Sequence, residues 1–91
     1  MEYGLIGGNL GHSYSERIHA MLGDYDYKLC PLPPEGMRAL LTSRAFRGLN
    51  VTIPYKRDVL PYCDALSDEV REIGSANTLV VENGVLTAYN T

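Results

Sequence analysis

Two stretches rich in β-branched and aromatic residues, Asn77 to Glu82 and Val85 to Tyr89, flank the dipeptide Asn83-Gly84. Asn and Gly tolerate positive φ at both central positions of a two-residue turn, so this pattern predicts a hairpin and forces the two strands to run antiparallel. The remaining segments must then be arranged around a sheet.

Upstream, short apolar runs alternate with helical spacing. Tyr3-Gly4-Leu5-Ile6-Gly7 suits a buried strand that ends in glycines and enters a tight loop. Beyond the loop, Ser15 is placed to cap a helix over 16–22, with Ile18, Met21 and Leu22 on one face. Tyr25 to Leu32 reads as a second strand, closed by Pro31, Pro33 and Pro34 because proline cannot donate to a sheet ladder. Pro34 also suits the first turn of a helix of about ten residues, with Met37, Leu40 and Leu41 as its apolar stripe. A third strand fits Gly48 to Ile53 and stops at Pro54; Tyr55 to Tyr62 reads as a short helical turn. Ser67 then caps another helix, with Val70 and Ile73 inward and Gly74 ending it. This order predicts an α/β fold, a three-layer sandwich whose mainly parallel mixed sheet ends in the antiparallel hairpin.

A chain of 91 residues has room for one core, and 45% hydrophobic with 21% charged residues is a globular balance. The net charge of −3 comes with no run of Lys or Arg, which argues against a nucleic-acid partner. Cys30 and Cys63 fit neither a zinc pattern nor a disulfide framework; two reduced, mostly buried thiols are expected, and with them a cytoplasmic protein. The start of the chain lacks the form of a signal peptide, and no stretch approaches the roughly 20 apolar residues of a membrane span, so no membrane partner is expected.

Two segments could carry chemistry. Gly7, Gly8 and Gly11 do not form G-x-G-x-x-G in any register, and no G-K-[ST] occurs, so no cofactor-binding residues are assigned here. The same loop does bring Ser13 and Ser15 to a helix start, where free N–H groups favour an anion such as a carboxylate. From spacing alone, the commoner reading is that Ser15 is only an N-cap and Ser13 a solvated loop residue. In Gly48-Leu-Asn-Val-Thr-Ile-Pro-Tyr-Lys56, Asn50 and Thr52 share one side of a strand, and Pro54 turns the chain so that Lys56 can return toward them. That would gather polar groups at a strand's C-terminal end, where open α/β sheets bind ligands. Alone, Lys56 reads as a surface lysine. His12 and His19 have no partner at ligand spacing, so no metal is assigned. Asp64, Asp68, Glu69 and Glu72 read as a solvated acidic helix face with Arg71. Most of the tyrosines should be core or strand residues, with Tyr14 and Tyr55 set apart because they flank the polar motifs.

Taken in order, the Ser-x-Ser loop, the G-x-N-V-T-x-P-x-K block, Gly74-Ser-Ala-Asn-Thr78 and Tyr89-Asn-Thr91 resemble the shikimate dehydrogenase family over essentially the whole chain. The nine-residue block ending at Lys56 is the most specific of these. The resemblance implies a substrate-binding domain over 1–91, cut before an NADP-binding Rossmann domain, of an oxidoreductase that interconverts 3-dehydroshikimate and shikimate. It implies Lys56 as catalytic, Ser13 and Ser15 on the substrate carboxylate, Thr52 assisting, and Asn50 and Asn77 on ring hydroxyls. NADP would serve the full-length enzyme and not bind this fragment. Quinate as substrate and NAD as cofactor stay open, as does a stand-alone ligand-binding module; a truncated domain interface would also expose an apolar edge able to drive homodimerisation. Two positions depart from the family pattern. Glu16 replaces the usual proline and sets a negative charge near the carboxylate site, and Ala20 replaces an asparagine.

Overall fold

The computed structural model describes residues 2–8 and 27–91. Its strands are β1 (Tyr3–Gly7), β2 (Tyr27–Pro31), β3 (Gly48–Val51), β4 (Ala65–Leu66), β5 (Thr78–Glu82) and β6 (Val85–Tyr89). Helices α1 (Pro34–Ser43) and α2 (Asp68–Ile73) and a 3-10 turn at Leu60–Tyr62 fill the connections. The helix expected over 16–22, with Ser13, Ser15, Glu16 and Ala20, lies outside the described residues, as do the first two residues of the expected second strand.

The six strands form one mixed sheet in the order β2-β1-β3-β5-β6-β4. β1 pairs in parallel with β2 and β3, and β4 with β6; β5 is antiparallel to both β3 and β6. β5 therefore runs against the other five strands. The hairpin turn has φ of 51° at Asn83 and 79° at Gly84, the two left-handed residues of a type I′ turn. The fold is thus α/β, with a mainly parallel sheet and a closing antiparallel hairpin.

The alternation of side chains sorts the sheet into two faces. Ile6, Leu49, Val51, Leu79, Leu86 and Ala88 line one of them and join Met37 and Leu41 of α1, Val70 of α2, and Phe46, Tyr55 and Val59 of the connections in a single buried cluster. Each large apolar side chain so buried contributes about 1.5–3 kcal/mol relative to exposure. Both described helices pack on this face. A helical layer on the other face is not among the described residues, and the helix expected over 16–22 lies outside them.

α1 begins as its sequence suggests, with Pro34 in the first turn and Glu35 favourably near the positive end of the helix dipole. Met37 and Leu41 are buried, and Leu40 packs half-buried against the cluster. In α2 the Ser67 hydroxyl accepts the Val70 N–H at 3.3 Å, and the Gly74 N–H closes the helix onto the Val70 carbonyl at 2.7 Å.

Three expectations are corrected. Ile73 is 58% exposed and does not share the inward face of Val70; it stands about 60° round from Val70, at the last position of a helix of only 6 residues. The third strand ends at Val51 rather than Ile53, because the Thr52 carbonyl turns to accept the Tyr55 N–H at 3.0 Å. Asp64 is not part of an acidic helix face. It precedes β4, where its main-chain N–H bonds the Leu86 carbonyl at 2.8 Å and its Oδ2 accepts the Leu86 N–H at 2.9 Å and Arg44 at 3.1 Å. Arg44, at the left-handed end of α1, also donates to the Leu41 carbonyl at 2.6 Å, so this ion pair ties the helix end to β6.

Among the described residues Cys30 and Cys63 form no disulfide, and both are partly buried. Burial pushes the Cys63 thiol up to about 11, against a smaller lowering by Arg44, and burial also raises Cys30. Both thiols are therefore protonated, and poorly reactive, at neutral pH.

The Leu86 N–H, reinforced by Arg44, holds the Asp64 carboxyl below its ordinary value of 3.8. A carboxyl lowered by folding adds stability above its unfolded pKa and loses it as the pH falls through the lower folded pKa. Asp64→Asn should therefore destabilise the fold at neutral pH and flatten the decline of stability below pH 3.8, as read by urea midpoints across the acid range.

Candidate functional site

The exits of the five co-directional strands and the entrance of β5 meet along one edge of the sheet. Main-chain bonds stitch that edge from side to side. The Leu32 N–H reaches the Gly7 carbonyl at 2.9 Å, Thr52 reaches Ile6 at 3.0 Å, and Gly8 reaches Ile53 at 3.1 Å. Val51 donates to the Asn77 carbonyl at 2.9 Å, and Asn77 donates to Tyr89 at 3.0 Å. The carboxyl ends of strands are where α/β sheets hold small ligands, since the loops there are free to vary while the strands are not.

Four of the residues singled out in the sequence lie on this edge. Asn50 is exposed on the face opposite Leu49 and Val51, in register with Leu5 of β1 and Thr78 of β5. Thr52 follows half-buried just past the end of β3. Asn77 immediately precedes β5, brought beside Val51 by the antiparallel pairing of β3 and β5. Lys56 is exposed, and its carbonyl accepts the Ala76 N–H at 2.8 Å, which sets its main chain next to Asn77. Ser13 and Ser15 lie outside the described residues.

The side chain of Asn77 is heavily engaged. Its Oδ1 accepts the Thr78 hydroxyl at 2.9 Å and the Thr91 N–H at 3.1 Å, and its Nδ2 donates to the Thr91 carbonyl at 3.0 Å. An amide carries two N–H donors, and among the described residues only one of them is taken, which leaves the other to meet a ligand oxygen. Asn90 donates to the Ser75 carbonyl at 3.1 Å and so fastens the exit of β6 alongside. The expectation that Tyr55 stands apart from the core does not hold: it is 3% exposed. Its hydroxyl donates to the Leu32 carbonyl at 2.5 Å. Ile53, two residues earlier, is by contrast 76% exposed at the rim of the edge.

Chemically, this edge offers an exposed ammonium, two amides and a hydroxyl, all suited to hydrogen-bonding a small polyhydroxylated molecule and exchanging a proton with it. Among the described residues no group of His, Cys, Asp and Glu could hold a metal ion. Gly8, Asn90 and Thr91 are also brought to this edge, which spacing does not reveal. Gly8 carries a detectable signal as part of a Gly-Gly strand exit, and Asn90-Thr91 as part of a family motif.

The model of the shikimate dehydrogenase substrate binding domain matches residues 5–79. The chain belongs to this family. It is 43% identical over 97 residues to the NADP-dependent shikimate dehydrogenase of Clostridium beijerinckii, covering 98% of this chain and 36% of that protein. To the corresponding enzyme of Ignicoccus hospitalis it is 37% identical, covering 100% of this chain and 37% of that protein. Among solved structures, the shikimate 5-dehydrogenase of Thermus thermophilus in complex with NADP(H) and shikimate superposes with a TM-score of 0.82 at 33% identity, over 99% of this chain and 37% of that one. This member of the shikimate dehydrogenase family thus spans about a third of the length of the relatives it matches.

Within the family frame, the glycine at the exit of β1 is a close-approach position. A Cβ on Gly8 would stand 2.8 Å from Pro54 Cδ. Gly8→Ala must therefore displace the turn that carries Lys56. In amide correlation spectra, Ile53, Tyr55 and Lys56 should shift while the Glu82–Leu86 hairpin resonances stay in place.

Proposed function

We propose that residues 1–91 form the substrate-binding domain of an NADP-dependent shikimate dehydrogenase that reversibly reduces 3-dehydroshikimate to shikimate, a cytoplasmic step of aromatic amino-acid biosynthesis. The observation that carries this reading is the gathering of Asn50, Thr52, Lys56 and Asn77 on one sheet edge. Relatives named as NADP-dependent shikimate dehydrogenases, and a similar structure holding both NADP(H) and shikimate, support it and favour an enzyme over a stand-alone binding module.

In this reading the Lys56 ammonium stands beside the substrate oxygen that changes between carbonyl and hydroxyl. It hydrogen-bonds the carbonyl, stabilises the negative charge that develops on the oxygen as it is reduced, and gives up a proton to it; the neutral amine takes the proton back in the reverse direction. Asn50 and the remaining Asn77 N–H hold ring hydroxyls, Thr52 assists, and Ser13 and Ser15 hold the carboxylate. Glu16 weakens that carboxylate site by its like charge.

In this reading NADP serves a longer polypeptide of the relatives' length, and no residue of 1–91 is assigned to it, since neither G-x-G-x-x-G nor G-K-[ST] occurs here.

Two substitutions test the assignment. In the longer polypeptide, Lys56→Met should lower kcat by about 10²–10⁴-fold, the usual range for a general acid–base, with shikimate affinity little changed; a normal kcat with weak binding would overturn the role. For the carboxylate site, the Ser13→Ala, Ser15→Ala double variant should bind shikimate roughly 10-fold more weakly by calorimetric titration. Equal affinities would exclude the two hydroxyls as its anchors.

A further inference from the structure

Lys56 sits in a turn that is held from two sides. Tyr55, the residue before it, points into the core at 3% exposure, while Lys56 itself is exposed. The Tyr55 hydroxyl donates to the Leu32 carbonyl at 2.5 Å, and Leu32 is in turn fixed to the exit of β1 through its N–H bond to Gly7 at 2.9 Å. On the other side the Lys56 carbonyl accepts the N–H of the fully buried Ala76 at 2.8 Å, just ahead of Asn77 and β5. Between these ties the turn is closed by Tyr55 N–H to Thr52 at 3.0 Å and Val59 N–H to Tyr55 at 3.1 Å. The lysine is thus slung from the end of β2 to the start of β5, across the exits of β1 and β3.

Apolar packing alone does not account for the hydroxyl. A phenylalanine would fill the same space, and a buried phenol adds a group that needs a partner. What the hydroxyl adds is a fixed point. It stops the ring from sliding in its slot, and the ring cannot slide without moving the adjoining main chain. We propose that Tyr55 is the positioning residue for Lys56: its bond to the Leu32 carbonyl fixes the pitch of the 52–59 turn and hence the point over the sheet edge at which the lysine ammonium is presented. This rests on the reading of Lys56 as the group that exchanges a proton with the substrate. A displacement of about 1 Å at a reacting group can cost on the order of 10²-fold in rate, so a tie this far from the chemistry is worth keeping.

The test compares Tyr55→Phe with Leu86→Val, a trimming of the same core across the sheet, by amide hydrogen exchange on the 91-residue chain. Tyr55→Phe should speed exchange of the Ala76 amide, bonded to the Lys56 carbonyl, by about 5-fold relative to the Val51 amide, bonded to Asn77. Leu86→Val should speed both together. A Tyr55→Phe variant that speeds both equally, or neither, overturns the proposal. In the longer polypeptide, Tyr55→Phe should lower kcat by roughly 10-fold while KM stays within about 2-fold; an unchanged kcat overturns the claim that the position matters for the reaction. If the parent polypeptide turns over no shikimate, the functional reading fails, and the exchange comparison still decides whether Tyr55 holds the turn.

Discussion

The edge described above exists because one strand runs against the rest. Had β5 joined the sheet in parallel, its first residue would lie at the opposite end, and Asn77 could not meet β3. Antiparallel pairing of β5 with β3 sets Asn50 opposite Thr78 and brings the Asn77 carbonyl to the Val51 N–H at 2.9 Å. The same reversal obliges β6 to return toward the edge, so that Tyr89 accepts from Asn77 at 3.0 Å and Thr91 reaches its side chain. Each of these main-chain groups would otherwise need water or another partner, and leaving one buried and unsatisfied costs about 1–3 kcal/mol. The network therefore holds the edge in one arrangement.

Rigidity at the edge is supplied from below. Leu49, Val51 and Leu79 are buried in the centre of the sheet, and the helices close over them with Leu41 and Val70, all in one cluster. Tyr55 and Val59 belong to that same cluster although they lie in an irregular connection. A loop packed into the core this way behaves as part of the scaffold rather than as a surface loop, which is unusual for a segment carrying an exposed polar residue. The Asp64 carboxylate plays a comparable part at the far side, joining Arg44 at the end of α1 to the Leu86 N–H of β6.

Features whose demands are local could be read from the chain. The hairpin needs only two adjacent residues able to take positive φ, and Asn83 and Gly84 supply them at 51° and 79°. α1 needs a tolerated proline and a spaced apolar stripe, both evident from Pro34 to Leu41. Features fixed by distant partners could not. Asp64 looks like one more acidic residue near a helix until Leu86, 22 positions on, gives it a backbone donor. The two-residue β4 is too short to show a period, and Ile73 matches an inward spacing that a helix of 6 residues is too short to use. In the site, strand alternation is enough to associate Asn50 with Thr52. Adding Asn77 requires knowledge of how β5 pairs, which motif order supplies and spacing does not. Tyr55 stands out in the sequence only for its place beside a motif, because no spacing rule connects it with Leu32, 23 positions back.

The placement of Lys56 follows from the energetics of lysine itself. An ammonium buried without a partner is expensive, and one locked in a structural ion pair is not free to act on a ligand. Here the charged end is left in water, and among the described residues it enters no salt bridge. Order is imposed on the main chain instead, through Ala76 on one side and the core-bound ring of Tyr55 on the other. A ligand arriving at the edge then has to immobilise only the side chain, at a cost of about 0.5–1.5 kcal/mol for a rotamer-rich residue, and not the loop beneath it. That division of labour, a fixed backbone beneath an exposed charged end, sets the point on the sheet edge from which the lysine meets a reacting molecule.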